Sequence, residues 1–237
     1  MKKATFAETK TIAMKKITKL MFIPVVAPLL FACGSTNTDT TDADAAAADT
    51  IFAGTYAVNS NESKVEWHGD MLAVGGVSLY SHDGTLNVND GNIRVENGMV
   101  TGGTVVVDMS SMTPTDANYT EEQGKGKSDL VGHLSSPDFF AVDSFPQATF
   151  EITGQDGNNI TGNLTVRGIT KPHTITDVMV EETLNGLKAT GNLVFNRQDY
   201  NVRFSMANAM DVRDKIVSDD ITLKFNIVAT EDTLSAI

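Results

Sequence analysis

Cysteine is almost absent. The single Cys33 in 237 residues leaves no partner for an internal disulfide and excludes a four-cysteine zinc site. Basic residues are also scarce. Eighteen Lys+Arg stand against 30 Asp+Glu, a formal charge of −12, which argues against a nucleic-acid binder because phosphate contacts need clustered cations. The four histidines, His68, His82, His133 and His173, show neither i, i+4 nor H-x-H pairing, so no metal site is expected. There is no G-x-S-x-G nucleophile elbow. Gly126-Lys127-Ser128 matches only the tail of a phosphate-binding loop: Glu121 occupies the place of the first glycine, and no strand-to-helix context surrounds it. Nineteen glycines with six prolines fit a turn-rich globular chain rather than a collagen-like or disordered one.

The longest apolar run, residues 20–32, is too short to span a bilayer comfortably. It follows the basic stretch Lys15, Lys16 and Lys19 and ends in Leu30-Phe31-Ala32-Cys33-Gly34. Basic, apolar and small residues in that order read as a secretory signal. The ending resembles the lipobox of bacterial lipoproteins, in which the cysteine is acylated, so Cys33 is the expected lipidation site. Met14 is a more natural start than Met1, which leaves residues 1–13 as an over-extended start. Removal of residues 1–32 leaves 12 basic and 29 acidic residues. Residues 33–50 carry no large apolar side chain apart from the acylated cysteine and read as a flexible acidic tether. Residues 51–237 form the expected folded domain. Several acyl chains hold a protein on a membrane far more firmly than one. The expected location is therefore the bacterial cell envelope, with the anchor in the outer membrane.

From Ile51 onward the signal is alternation with period two. Ile221, Leu223, Phe225, Ile227 and Ala229 share one face. So do Ile160, Gly162, Leu164 and Val166, then Leu187, Ala189, Gly191, Leu193 and Phe195, then Ala148, Phe150 and Ile152. Turn residues separate the runs at Asn89-Asp90-Gly91, Asn97-Gly98, Asp156-Gly157-Asn158-Asn159 and Asn185-Gly186. Seven to nine strands at this spacing imply an all-β sandwich or barrel. Residues 117–140 break the alternation and predict one or two short inserted helices. One is expected at Asp129–Leu134 with Ser128 as its cap, the other beginning at Ser136-Pro137. The apolar stripe is either a filled core or the wall of a hollow, and periodicity does not separate the two.

Several segments together resemble the YceI-like family of bacterial periplasmic and outer-membrane proteins. They are Tyr56-Ala57-Val58-Asn59, Ser63-Lys64-Val65-Glu66-Trp67, the glycines and histidine at Gly76, His82 and Gly84, and Val107-Asp108-Met109-Ser110-Ser111-Met112. The most specific is Asp129-Leu130-Val131-Gly132-His133-Leu134-Ser135-Ser136-Pro137-Asp138-Phe139-Phe140, which looks like an L-x-x-H-L-x-S-x-D-F-F signature. Phe145–Phe150, Gly162–Lys171 and Phe195–Val202 follow in the family's order. The resemblance runs from about 55 to 230. It implies an extended, lipocalin-like antiparallel β-barrel with a long hydrophobic tunnel, which binds polyisoprenoid chains such as quinone tails or prenyl phosphates. It also implies dimers in some members, and no catalytic residues.

A polyisoprenoid has almost no polar atoms, and each buried methylene contributes about 0.8 kcal/mol, so a long tail needs an apolar tube and little else. The candidate lining is Trp67, Leu79, Phe139, Phe140, Phe150, Leu164, Val166, Leu193, Phe195 and Phe225. The head-group candidates are His82, His133, Lys171 and Arg197, whose N–H groups suit a quinone carbonyl or a phosphate. No cofactor, nucleic-acid partner or metal is expected; the expected partners are an isoprenoid lipid and, through the acyl anchor, a membrane. Two rival readings remain at this point. One is an envelope stress or interaction lipoprotein with a filled core. The other is a lipid hydrolase or isomerase, which requires a carboxylate pair with shifted pKa inside the cavity.

Overall fold

Among the described residues, the alternating runs form nine antiparallel strands that close into a barrel. The computed structural model describes residues 53–73, 75–120, 125–204 and 215–232, all within the unit Ala47–Ile237. Cys33, the signal segment and the tether lie outside the described residues. The strands are β1 (Gly54–Val58), β2 (Lys64–Ala73), β3 (Ser78–Glu96), β4 (Met99–Pro114), β5 (Gln147–Asp156), β6 (Asn159–Val166), β7 (Ile169–Thr183), β8 (Gly186–Asn196) and β9 (Lys215–Glu231).

Around the wall the order is β3-β2-β9-β8-β7-β6-β5-β4, and β4 pairs back to β3. Eight strands therefore close the barrel and leave no long edge for pairing with another chain. β1 extends the place of β2 in the wall, since it pairs with the same two neighbours, β3 and β9. The turn between β1 and β2 is fixed by buried Ser63. Its hydroxyl donates to the Val228 carbonyl at 3.1 Å and accepts from the Val228 N–H at 3.0 Å.

The inward faces follow the sequence alternation. In β6, Ile160, Gly162, Leu164 and Val166 are all buried, and in β9 so are Ile221, Phe225, Ile227 and Ala229. Two hairpins turn through paired positive φ values, Asn97 (53°) with Gly98 (74°) and Arg167 (51°) with Gly168 (71°). This is the two-residue geometry whose twist matches the flanking strands. Asn89-Asp90-Gly91 does not end a strand as expected. It lies inside the long β3, where the register against β4 slips between Val88 and Asp90. A Cβ on Gly91 would press on the Thr104 carbonyl across the slip, so the glycine serves close strand passage rather than a turn.

Among the described residues there is one α-helix, α1 (Lys127–Ser135). It starts at Gly126, whose N–H donates to Asp129 Oδ2 at 3.0 Å, and not at Ser128. Ser136 ends this helix instead of beginning a second, and Pro137 follows as a stop. The chain then folds back, with Phe140 N–H donating to Leu134 O and Val142 N–H to Ser135 O. A 3-10 turn at Arg197–Tyr200 was not anticipated; Asn196 caps it by accepting the Gln198 N–H at 2.8 Å.

A hollow at one end as the candidate functional site

Connectivity places the ends of β2, β4, β6 and β8 at one rim of the barrel, together with α1 and the segment after β8. Beneath that rim lies a cavity of 360 Å³. A close-packed interior leaves few voids larger than a water molecule, so this part of the barrel is hollow. A void of 50 Å³ sits beside it, and Val105, Phe150 and Phe225 line both spaces. These three side chains thus stand as a partition between the two spaces. At the other end the interior is filled: Tyr56, Val95, Val100, Leu187 and Ala229 are buried.

Eight of the expected lining residues stand on the cavity wall: Trp67, Phe139, Phe140, Phe150, Leu164, Val166, Phe195 and Phe225. Leu79 does not; its side chain lies 48% exposed. Leu193 is buried inside the barrel without reaching the hollow. Of the head-group candidates, His82 and His133 line the cavity and Lys171 and Arg197 do not.

The physical reason lies in the 3-10 turn. Lys171 pairs with Asp199 at 3.7 Å, and His173 Nε2 shares a hydrogen bond with the Tyr200 hydroxyl at 2.8 Å. The turn thus occupies the face of β7 that would otherwise meet the hollow. Arg197 is fully buried. Its guanidinium donates to the carbonyls of Ser218, Val202 and Val217 at 2.8–2.9 Å and to Asp219 at 3.3 Å. It ties the turn to the start of β9, with four of its five N–H groups engaged and the residue buried away from the hollow. Burial lowers its pKa, with Asp219 acting against that, and an arginine stays charged regardless.

The structure adds wall residues that the sequence reading did not single out, among them Tyr80, Met109, Met112, Leu130, Leu134, Ile221 and Leu223. Most were legible. Met109 continues the Val105, Val107 alternation, and Ile221 and Leu223 share the face of Phe225. Asp70 and Met71 were not, because consecutive residues on a strand point to opposite faces. Both reach the wall because the β2–β9 register slips between Gly69 and Met71.

The polar part of the rim is a chain of carboxylates and imidazoles. Ser78 Oγ donates to Asp70 at 2.7 Å, while His68 lies between Asp70 (3.2 Å) and Asp83 (2.7 Å). The hydrogen bond to Asp83 raises the His68 pKa, against the effect of burial and with help from Asp70. Next along the rim, Asp116 accepts from the Tyr119 hydroxyl at 2.6 Å and from the N–H groups of Asp83 and Asn118. Burial alone would raise its pKa; these hydrogen bonds and the charge of His82 bring it down to about 2. His82 stands 3.4 Å from Asp116 and stacks on Tyr119 with centroids 5.1 Å apart. His133 presents its ring edge-on to Phe204 at 4.4 Å and Phe139 at 5.6 Å. Among the described lining residues there is no lysine or arginine. Among the described residues no three His, Cys, Asp or Glu side chains are placed to hold a metal ion.

Known proteins place this architecture. A family model described as YceI-like domain matches residues 56–229. Protein YceI of Escherichia coli is 30% identical over 147 residues, which are 57% of this chain and 68% of that protein. A UPF0312 protein of Staphylococcus aureus is 37% identical over 82 residues, 32% of this chain and 47% of its own length, so the chain spans about half of that relative. Among solved structures, BcnA of Burkholderia cenocepacia superposes with a TM-score of 0.50 at 22% identity, covering 73% of this chain and 99% of BcnA, a likeness of fold. With most of the barrel inside the matched span, this chain belongs to the YceI-like family.

Proposed function

We propose that the barrel binds the apolar chain of a polyisoprenoid lipid and carries or sequesters it without chemical change in the bacterial cell envelope. The observation that supports this most is the wall itself: a 360 Å³ hollow bounded largely by Val, Leu, Ile, Met and aromatic side chains. Such a wall stabilises methyl-branched hydrocarbon by burial alone. A filled-core interaction protein has no use for this volume. A lipid hydrolase needs an acid–base pair in the cavity, and the carboxylates at the rim are committed to hydrogen bonds with His68, Ser78, Tyr119 and backbone N–H groups.

The same wall narrows the head group. A phosphate or pyrophosphate would meet Asp70 and, behind His82, Asp116, with no described lysine or arginine on the wall to offset its charge. An uncharged head bearing oxygen acceptors, such as a quinone, fits better, with His82 and His133 as its neighbours. The proposed anchor is an acylated Cys33, with residues 34–50 as tether and the outer membrane as the site.

The test is a calorimetric titration of lipid-stripped protein with three ligands of matched size: a prenyl quinone, a prenyl diphosphate and a straight-chain fatty acid. The expected order is quinone tightest. Equal or tighter binding of the fatty acid would overturn the isoprenoid reading, and preference for the diphosphate would overturn the head-group reading.

A further inference from the structure

His82 occupies an inward position of β3. It alternates with Tyr80 on the cavity wall and faces Gly69 across the β2 ladder. The β3–β4 pairing runs on past Pro114, where the Thr115 N–H still reaches the Asp83 carbonyl at 2.8 Å, and this brings Asp116 beside His82. The contact is made by Nδ1, the ring nitrogen nearest the backbone, at 3.4 Å. Asp116 also accepts the Tyr119 hydroxyl at 2.6 Å and the N–H groups of Asp83 and Asn118 at 3.0 and 2.8 Å. Three donors commit this carboxylate to accepting, so the proton in the His82 contact belongs to Nδ1. In the neutral ring the distal nitrogen, Nε2, is then an acceptor. Tyr119 stacks on the ring at 5.1 Å and Tyr80 meets it edge-on at 5.5 Å, which holds its plane. Nε2 lies toward the tip of this inward side chain. It has no partner among the described residues and stays open to a molecule the size of water. His133 also lines the hollow, but its ring contacts are aromatic, with Phe139 and Phe204. Among the described residues no hydrogen bond fixes its tautomer, so it serves a ligand oxygen as donor or acceptor alike.

We infer that His82, oriented by Asp116, determines head-group specificity: its Nε2 accepts a hydrogen bond from a hydroxyl on the lipid. This rests on the proposed function and deepens it. The favoured head is a prenyl alcohol or a quinol. An ether or a quinone, whose oxygens only accept, brings a lone pair against the lone pair of Nε2 and leaves both unsatisfied. Between the two oxidation states of one quinone, the barrel therefore takes up the reduced one. A quinone carbonyl still finds a donor in His133, so the quinone binds, but less tightly. An uncharged hydroxyl also suits a wall that carries Asp70 and no described lysine or arginine.

The test compares farnesol with farnesyl methyl ether on lipid-stripped protein at pH 8, on the neutral side of histidine titration. The two share a prenyl chain and an oxygen acceptor, and only the alcohol donates. In the wild-type protein farnesol is expected to bind about tenfold more tightly than the ether. In His82→Phe that ratio is expected to fall to about one. It is expected to fall likewise in Asp116→Asn, because the new amide donates to Nδ1 and moves the ring proton to Nε2. A ring-nitrogen NMR spectrum reads the tautomer on unaltered protein, and the Nδ1–H form is the expected one. Equal wild-type affinities, or an Nε2–H tautomer, would overturn the inference and leave lipid binding standing. A ratio that survives in either folded variant would do the same. Failure of both probes to bind would remove the proposed function, and the role of His82 with it.

Discussion

Replacing Phe150 by alanine joins the two spaces that its ring separates, and the consequence is a change in the tail length the barrel accepts. Phe150 borders both the 360 Å³ hollow and the 50 Å³ void, and a Cβ on Gly162 would press into its ring. The ring is therefore held in place by a glycine on the neighbouring strand. In the wild-type barrel, affinity across a series of prenyl alcohols should rise with each isoprene unit and then level off where the tail meets the partition. In Phe150→Ala the bore runs on toward Ile160, Ile175 and Ile227, which line the second void. One more isoprene unit, about four methylenes beyond the plateau, is then worth at most ~3 kcal/mol, roughly a hundredfold in Kd. The substitution also costs roughly 3 kcal/mol of stability, the lower end for a buried aromatic, because the ring already borders open space. Calorimetry with geraniol, farnesol and geranylgeraniol measures the plateau, and circular dichroism verifies the fold. An unchanged plateau in a folded Phe150→Ala protein would refute the partition.

Other outcomes follow from the rim and the turn. The folded pKa of Asp116, about 2, lies below its ordinary 3.8. Its contribution is therefore complete above pH 4 and is lost as pH falls through 2; the shift corresponds to roughly 2 kcal/mol. Urea unfolding should show wild-type stability falling more steeply than that of Asp116→Asn over this acid range, and parallel curves would contradict the assignment. For His68 the shift is upward, so its stabilisation is present below its ordinary pKa and disappears as pH rises through the raised value. An NMR titration of the ring should place its midpoint above that of a free histidine. Arg197→Met should destabilise the barrel by about 3 kcal/mol, since it strips several buried oxygens of their donor, while the preference among ligand heads stays unchanged. A change in head preference with unaltered stability would return Arg197 to the binding site. Cys33→Ser should move the protein from the membrane fraction to the soluble fraction, and unchanged fractionation would rule out the acyl anchor.

Much of the barrel was legible because its information is local. Period-two alternation names the inward residues of β5, β6, β8 and β9, and Asn97-Gly98 announces its own turn chemistry. What was not legible depends on partners distant in sequence. Arg167-Gly168 forms the same kind of turn as Asn97-Gly98, yet arginine carries no preference for positive φ. In the structure the Arg167 guanidinium donates to the carbonyls of Phe139 and Asn201, contacts that accompany the strained backbone. Asn89-Asp90-Gly91 has the composition of a turn and is instead a slip within β3, because β4 continues to pair on both sides of it. The site divided in the same way. Inward aromatics were predictable strand by strand. Lys171 and Arg197 also carry donors suited to a ligand head, but their carboxylate partners come from the 3-10 turn and from β9. Whether the stripe was solid or hollow could not follow from periodicity, since both arrangements use the same alternation.

The central claim is that the hollow is occupied by a prenyl chain in the cell. The most direct measurement is native mass spectrometry of the full-length chain, expressed in a bacterium and purified without detergent, followed by organic extraction of the bound fraction. A mass increment matching one polyisoprenoid per barrel, with an uncharged oxygen-bearing head in the extract, is the predicted result. A protein that carries no lipid, or only straight acyl chains, would contradict it.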